Sequence, residues 1–108
     1  MGAFVKVSRE IPPVISNLVE RISGFPSVQE VILYGSRAKG THSPASDIDI
    51  AVKGVKDSGE WTRIRHLADV DDDQVRTLLK IDLVQFEHVD PAVQQSITQE
   101  GLVLYERH

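Results

Sequence analysis

Two short motifs in this sequence carry side chains that could bind a metal ion and a phosphate. Gly35-Ser36 follows one apolar segment, and Asp47-x-Asp49 opens the next, with ten residues between the two motifs. Because side chains alternate between the faces of a strand, Asp47 and Asp49 are predicted to point the same way, with backbones about 6 to 7 Å apart. Paired carboxylates repel each other, so we expect them to hold a hard divalent cation such as Mg²⁺. Since Mg²⁺ usually completes its shell with water and substrate phosphates, the pair also predicts a phosphate ligand.

Gly35-Ser36 is suited to the phosphate side of such a site. Gly35 would let the chain turn tightly after a strand and let a phosphate approach closely, while the Ser36 hydroxyl and the N–H groups after it could hydrogen-bond phosphate oxygens. If residues 36–39 form a helical turn, its N-terminus points at that phosphate. Arg37 and Lys39 could add positive charge there or could equally lie in solvent.

A third carboxylate, Asp82, lies in a later apolar segment between Ile81 and Leu83. Beside Asp47 and Asp49 it would complete a cluster able to hold two metal ions about 3.5 to 4 Å apart, which would serve both ends of an in-line displacement. Asp82 is then the predicted base that accepts a proton from the attacking hydroxyl. The alternative interpretation is a surface aspartate on a strand, without a catalytic role.

The segments that must position these residues alternate between helical and strand patterns. Helical spacing of apolar residues from Ile11 to Ile22 predicts a first helix, and residues 58–79 predict one helix or two interrupted near Asp71-Asp72-Asp73. A further helix is predicted after Asp90-Pro91, ending near Glu100. The predicted strands are residues 28–34, 47–52, 81–86 and 102–105. The order α-β-β-α-β-α-β predicts an α/β (α+β) fold, a small mixed β-sheet with helices packed on one face.

Composition limits the class of protein further. The chain has 108 residues, which predicts a single domain over 1–108, and its formal net charge of −4 disfavours general nucleic-acid binding. Cysteine is absent, which excludes a thiolate nucleophile and a Cys-based zinc site. No segment approaches the ~20 apolar residues of a membrane span, and the N-terminus lacks the apolar run of a signal peptide. We therefore expect a cytoplasmic protein that binds no membrane.

The pattern of Gly35-Ser36, ten residues, Asp47-x-Asp49 and a later Asp82 resembles the minimal nucleotidyltransferases of the DNA polymerase β-like superfamily. Residues 97–107 also look like the C-terminal end of these domains, so the resemblance runs from about Val14 to Arg107. It implies the polymerase β palm-like nucleotidyltransferase fold, Mg²⁺ as cofactor with two ions, and ATP or another nucleoside triphosphate as donor.

By this resemblance, each motif has a stated role in transferring a nucleoside monophosphate, most often AMP from ATP, to an acceptor hydroxyl. Asp47 and Asp49 would hold the metals, Asp82 would join one of them and activate the acceptor, and Gly35 and Ser36 would bind the triphosphate. Longer relatives carry a separate helical acceptor-binding domain, which this sequence is expected to lack.

The same resemblance implies a partner. Minimal members of the family commonly pair with a separately encoded helical protein of the HEPN type as a toxin–antitoxin couple, in which the transferase places AMP on a tyrosine of the toxin. Two alternatives stay open: a non-catalytic nucleotide-binding antitoxin that sequesters its partner, and a transferase acting on a small molecule such as an aminoglycoside. The intact set of Ser36, Asp47, Asp49 and Asp82 favours catalysis over sequestration, which needs none of them.

Overall fold

The strands of this protein form one five-stranded mixed sheet, seen in a computed structural model that describes residues 2–4, 13–40, 47–69 and 80–107. The elements in chain order are β1 (Gly2–Phe4), α1 (Pro13–Ile22), β2 (Glu30–Tyr34), α2 (Ser36–Lys39), β3 (Ile48–Lys53), α3 (Ser58–Asp69), β4 (Ile81–Gln85), a 3-10 turn (Phe86–His88), α4 (Pro91–Glu100) and β5 (Leu102–Arg107). The strand order in the sheet is β1-β5-β2-β3-β4.

Strand register brings the ends of three strands side by side. All neighbouring strands run antiparallel except β3 and β4, which are parallel. Tyr34 of β2 is paired with Asp49 of β3, and Asp49 is paired with Asp82 of β4. These three residues therefore form one row across the sheet.

One face of the sheet is covered by α1 and α3. The buried residues of α1 are spaced as one stripe of a helix, namely Ile15, Leu18, Val19 and Ile22. They pack with Ile64 of α3 and with alternate residues of β3, Ile48, Ile50 and Val52. This face contains the larger of the two hydrophobic clusters, so most of the core lies on it.

The opposite face is covered by α4, whose Ile97 packs on Ile32 of β2 and Ala51 of β3. The predicted class, a small mixed sheet with packed helices, is confirmed. The expected arrangement on one face holds for α1 and α3 but is corrected for α4. The physical reason is that β2 and β3 are central strands with apolar residues on both faces, and each face must be shielded from water.

Where the structure describes them, the predicted element bounds are correct to within two residues: β2 begins at Glu30 rather than at residue 28, β3 spans Ile48–Lys53 rather than 47–52, and β4 ends at Gln85 rather than at residue 86. Strand β1 was not predicted, because three residues are too few to show a period and pair only with the distant β5. Strand β5 extends beyond the predicted residue 105 to Arg107, whose guanidinium donates hydrogen bonds to the carbonyls of Ser23, Phe25 and Val28. Residues 70–79, including the possible helix interruption at Asp71-Asp72-Asp73, lie outside the described residues. No helix in the described ranges is long and apolar enough to cross a membrane.

Candidate active site

Gly35 forms a sharp turn between β2 and α2. Its backbone has φ 78° and ψ −156°, a conformation that is essentially restricted to glycine. A Cβ placed on Gly35 would lie 2.5 Å from Oδ2 of Asp49. The tight turn predicted at this position is therefore present, and glycine also leaves the space that the Asp49 carboxylate occupies.

The helical turn considered for residues 36–39 is present as α2. The N–H groups of Ala38 and Lys39 donate to the Gly35 carbonyl at 3.1 and 3.2 Å, which closes the turn directly after β2. Gly40 ends it in the left-handed conformation, with φ 78° and ψ 13°. Ser36 is thus held at the same end of the sheet as the row formed by Tyr34, Asp49 and Asp82.

The structure brings the predicted carboxylates to one face of the sheet. Asp49 and Asp82 are neighbours in the parallel register, on strands spaced about 4.8 Å apart. Asp49 is half-buried, whereas Asp82 and Asp47, the residue just before β3, are exposed. Ile48 and Ile50, which alternate with the aspartates, are buried on the opposite face, as the alternation of side chains along a strand requires.

The carboxylates also influence one another electrostatically. The pKa of Asp49 is raised, first by burial and then by the negative charges of Asp82 and Asp47. Each of these causes disfavours the ionised form. A cation bound between the carboxylates would offset the repulsion among them, so the arrangement is compatible with a cation as ligand.

The donor set fits Mg²⁺, although the site is open. Within the part of the chain that the structure describes, no group of three or more His, Cys, Asp or Glu side chains is placed to hold a metal ion. Magnesium usually takes only one or two protein carboxylates and completes its octahedron with water and substrate phosphates. Asp47, Asp49 and Asp82 offer hard oxygen ligands on a face open to such a substrate.

Tyr34 is a residue of this site that sequence reasoning missed. It ends β2 opposite Asp49, and its pKa is raised to about 12 by burial and by the charges of Asp49 and Asp82. The available signal was its position immediately before Gly35, because strand pairing in a hairpin would place it beside the Asp-x-Asp motif.

Lys39, the basic candidate whose side chain the structure describes, is paired with an acidic residue of α4. Lys39 Nζ lies 3.2 Å from Oε1 of Glu100, at the end of α4, and both side chains are about half exposed. The side chain of Arg37 and residues 41–46 lie outside the described residues. Lys39 therefore contacts an acidic partner of its own chain rather than the aspartate row.

Comparison with solved structures finds similar folds. A crystal structure of a toxin–antitoxin with AMP-PNP is 26% identical, with a TM-score of 0.59, and the match covers 82% of this chain and 70% of that chain. A tri-AMPylated Shewanella oneidensis HEPN toxin in complex with MNT antitoxin is 22% identical, with a TM-score of 0.52 and coverage of 82% and 66%. A putative minimal nucleotidyltransferase is 16% identical, with a TM-score of 0.57 and coverage of 87% and 98%. The last two likenesses show the fold alone.

Comparison with protein families identifies the chain directly. No curated protein matches it. The family model described as "Polymerase beta, Nucleotidyltransferase" matches residues 16–108, which include the Gly-Ser turn and all of the carboxylates described above. The chain therefore belongs to the polymerase beta nucleotidyltransferase family and is a nucleotidyltransferase, as the resemblance of its motifs implied.

Proposed function

We propose that this protein transfers AMP from ATP, with Mg²⁺ as cofactor, to a hydroxyl group on a partner protein. The observation that carries the proposal is the row of carboxylates on one sheet face beside the Gly35-Ser36 turn. The carboxylates would supply anionic ligands for metal ions and the turn would accept a triphosphate, which are the two parts that nucleotidyl transfer needs side by side.

Each residue then has a defined role. Asp47, Asp49 and Asp82 would hold the divalent ions, which when bound neutralise the charge that develops on the phosphate oxygens. Gly35 would leave room for the triphosphate, and the Ser36 hydroxyl would donate to a phosphate oxygen. Arg37 and Lys39 could contribute positive charge, which for Lys39 requires its release from Glu100.

The reaction balances as a substitution at the α-phosphorus. The acceptor oxygen forms a bond to the α-phosphorus. At the same time, the bond between the α-phosphorus and the oxygen that bridges it to the β-phosphorus breaks, and pyrophosphate leaves. Asp82 is the proposed base because it is exposed and next to Asp49, so an incoming hydroxyl can reach it. The proton of the acceptor hydroxyl would pass to its carboxylate.

The proposed acceptor is a tyrosine of a HEPN-type partner. Similar structures include a toxin–antitoxin with AMP-PNP and a tri-AMPylated HEPN toxin bound to an MNT antitoxin. We propose that residues 1–108 act as one transferase unit and that the partner presents the hydroxyl.

Intact-protein mass spectrometry tests the proposal. The chain and the HEPN-type protein that co-purifies with it would be incubated with Mg-ATP, and we expect the partner to gain the mass of one or more adenylyl groups. The Asp49→Asn variant is the matched control and should give no mass gain. A stable complex that binds ATP without any gain on either protein would contradict transfer and favour a sequestering antitoxin.

A further inference from the structure

Tyr34 is the one polar side chain in the row of site residues to which the proposed mechanism gives no role. Its ring packs against the hydrophobic cluster of Ile32, Ala51 and Ile97 beneath α4. Its strand partner is Asp49, and Asp82 follows on the next strand. The ring is therefore anchored in an apolar cluster at the border of the acidic surface.

The hydroxyl of Tyr34 is a hydrogen-bond donor next to unused acceptors. Tyrosine hydroxyls keep their proton at physiological pH. Among the described residues it takes part in no hydrogen bond, while the carboxylates of Asp49, its strand partner, and of Asp82, on the next strand, have oxygen lone pairs to offer. A hydroxyl group that is partly withdrawn from water and has no acceptor raises the free energy of the folded state. A hydrogen bond from Tyr34 to an acceptor is therefore favoured.

We propose that Tyr34 is a positioning residue: when the Asp49 and Asp82 carboxylates turn to bind a divalent cation, the Tyr34 hydroxyl donates a hydrogen bond to one of them and holds it in that orientation. This inference rests on the proposed function. Ligating carboxylates are commonly hydrogen-bonded by such outer groups, and removal of one typically costs 10-fold to 100-fold in metal affinity. Because the ring of Tyr34 is anchored in an apolar cluster, this hydrogen bond would restrict rotation of the carboxylate while the metal is bound.

The test compares two variants that each remove one tyrosine hydroxyl from the same sheet. Tyr34→Phe keeps the ring that packs against the cluster of Ile32, Ala51 and Ile97, whereas Tyr105→Phe makes the same change in β5, in the cluster on the opposite face. Calorimetric titration of the nucleotide-free protein with Mn²⁺ would give the metal affinity, and thermal unfolding without metal would report any packing defect. We expect Tyr34→Phe to weaken Mn²⁺ binding by about 10-fold to 100-fold and Tyr105→Phe to leave it unchanged.

A second measurement separates positioning from a general structural role. In Tyr34→Phe, the Mg²⁺ concentration for half-maximal transfer should rise by a similar factor, while the rate at saturating Mg²⁺ stays close to wild type. If wild-type protein binds Mn²⁺ and Tyr34→Phe binds it equally well, the role of Tyr34 is wrong and the proposed function stands. If the wild-type protein binds no Mn²⁺, the metal site itself is wrong, and both proposals fail.

Discussion

The two faces of β3 and β4 are built from alternate residues of the same short segments, yet they serve opposite purposes. On the face under α1 and α3, Ile48 and Ile50 are 1% and 0% exposed and lie within the main hydrophobic cluster. On the face shared with α4, Asp49 and Asp82 lie side by side, and they are half-buried and exposed, respectively.

This difference shows how a small domain can tolerate a charged cluster. Burial of one face stabilises the folded state by about 25 cal/mol for each Å² of apolar surface removed from water. The aspartates on the other face repel one another. The site is destabilising by itself and is supported by the residues that alternate with it. The predictions below test this division between the two faces.

The largest effect is expected from Asp49→Asn, because it removes a charge from the acidic face with almost no change in volume. Transfer should fall by about 1,000-fold or more, the upper end of what loss of one electrostatic contact to the transition state costs. Steady-state assays at saturating Mg-ATP would measure it, with circular dichroism as the check on folding. Activity near wild type in a folded variant would contradict the assignment of Asp49.

On the opposite face, Ile50→Ala should damage stability rather than chemistry. Ile50 is fully buried, and truncation of such a residue typically costs about 2 to 5 kcal/mol of unfolding free energy. Urea unfolding would measure the loss, and activity per folded molecule should stay within a few-fold of wild type. A stable variant with lost activity would show that the two faces are not independent.

Gly35→Ala should affect both properties together. The backbone conformation of Gly35 costs about 1 to 3 kcal/mol for other residues, and its new Cβ would lie 2.5 Å from the Asp49 carboxylate. We expect reduced stability and weaker Mn²⁺ binding in the same variant. Gly40→Ala is the matched control, because Gly40 has the same φ of 78° but no atom within 4 Å of the added Cβ. Equal Mn²⁺ affinity in both variants would contradict the steric role of Gly35.

The raised pKa of Asp49 predicts a pH-dependent stability difference. Between its ordinary value of 3.8 and its raised value, the folded protein binds the Asp49 proton more tightly than the unfolded chain does. The contribution of Asp49 to the unfolding free energy therefore falls as pH rises through this window and stays low above it. Asp49→Asn should be more stable than wild type at neutral pH without metal, and this advantage should shrink toward low pH. A difference that is constant with pH would contradict the electrostatic origin.

The smallest effect is expected at the ion pair between Lys39 and Glu100, which is half exposed and worth at most about 1 kcal/mol. If Lys39 binds the nucleotide, Lys39→Met should raise the KM for ATP and Glu100→Gln should not. Equal changes in both variants would instead assign Lys39 to anchoring α2 on α4.

Much of the site could be predicted from local pattern, because strand alternation alone places Asp47 and Asp49 apart from Ile48 and Ile50. Tyr34 and the partner of Lys39 could not be predicted in this way. Tyr34 belongs to the site because β2 and β3 pair in the register that places it opposite Asp49. The contact between Lys39 and Glu100 joins residues that are distant in the chain. The short β1 depends on its pairing with β5 for the same reason.

The chain by itself therefore determined the residue types at the site, their alternation with core residues and the need for glycine at the turn, since these follow from the geometry of one strand and one bend. The tertiary structure decided the order of the strands in the sheet and the face on which α4 packs. It also decided that Tyr34 lies opposite Asp49. The physical reason is that alternation is a property of a few consecutive residues. Strand register and helix placement depend on the packing of segments far apart in the chain. A pattern within a few consecutive residues carries no information about that packing.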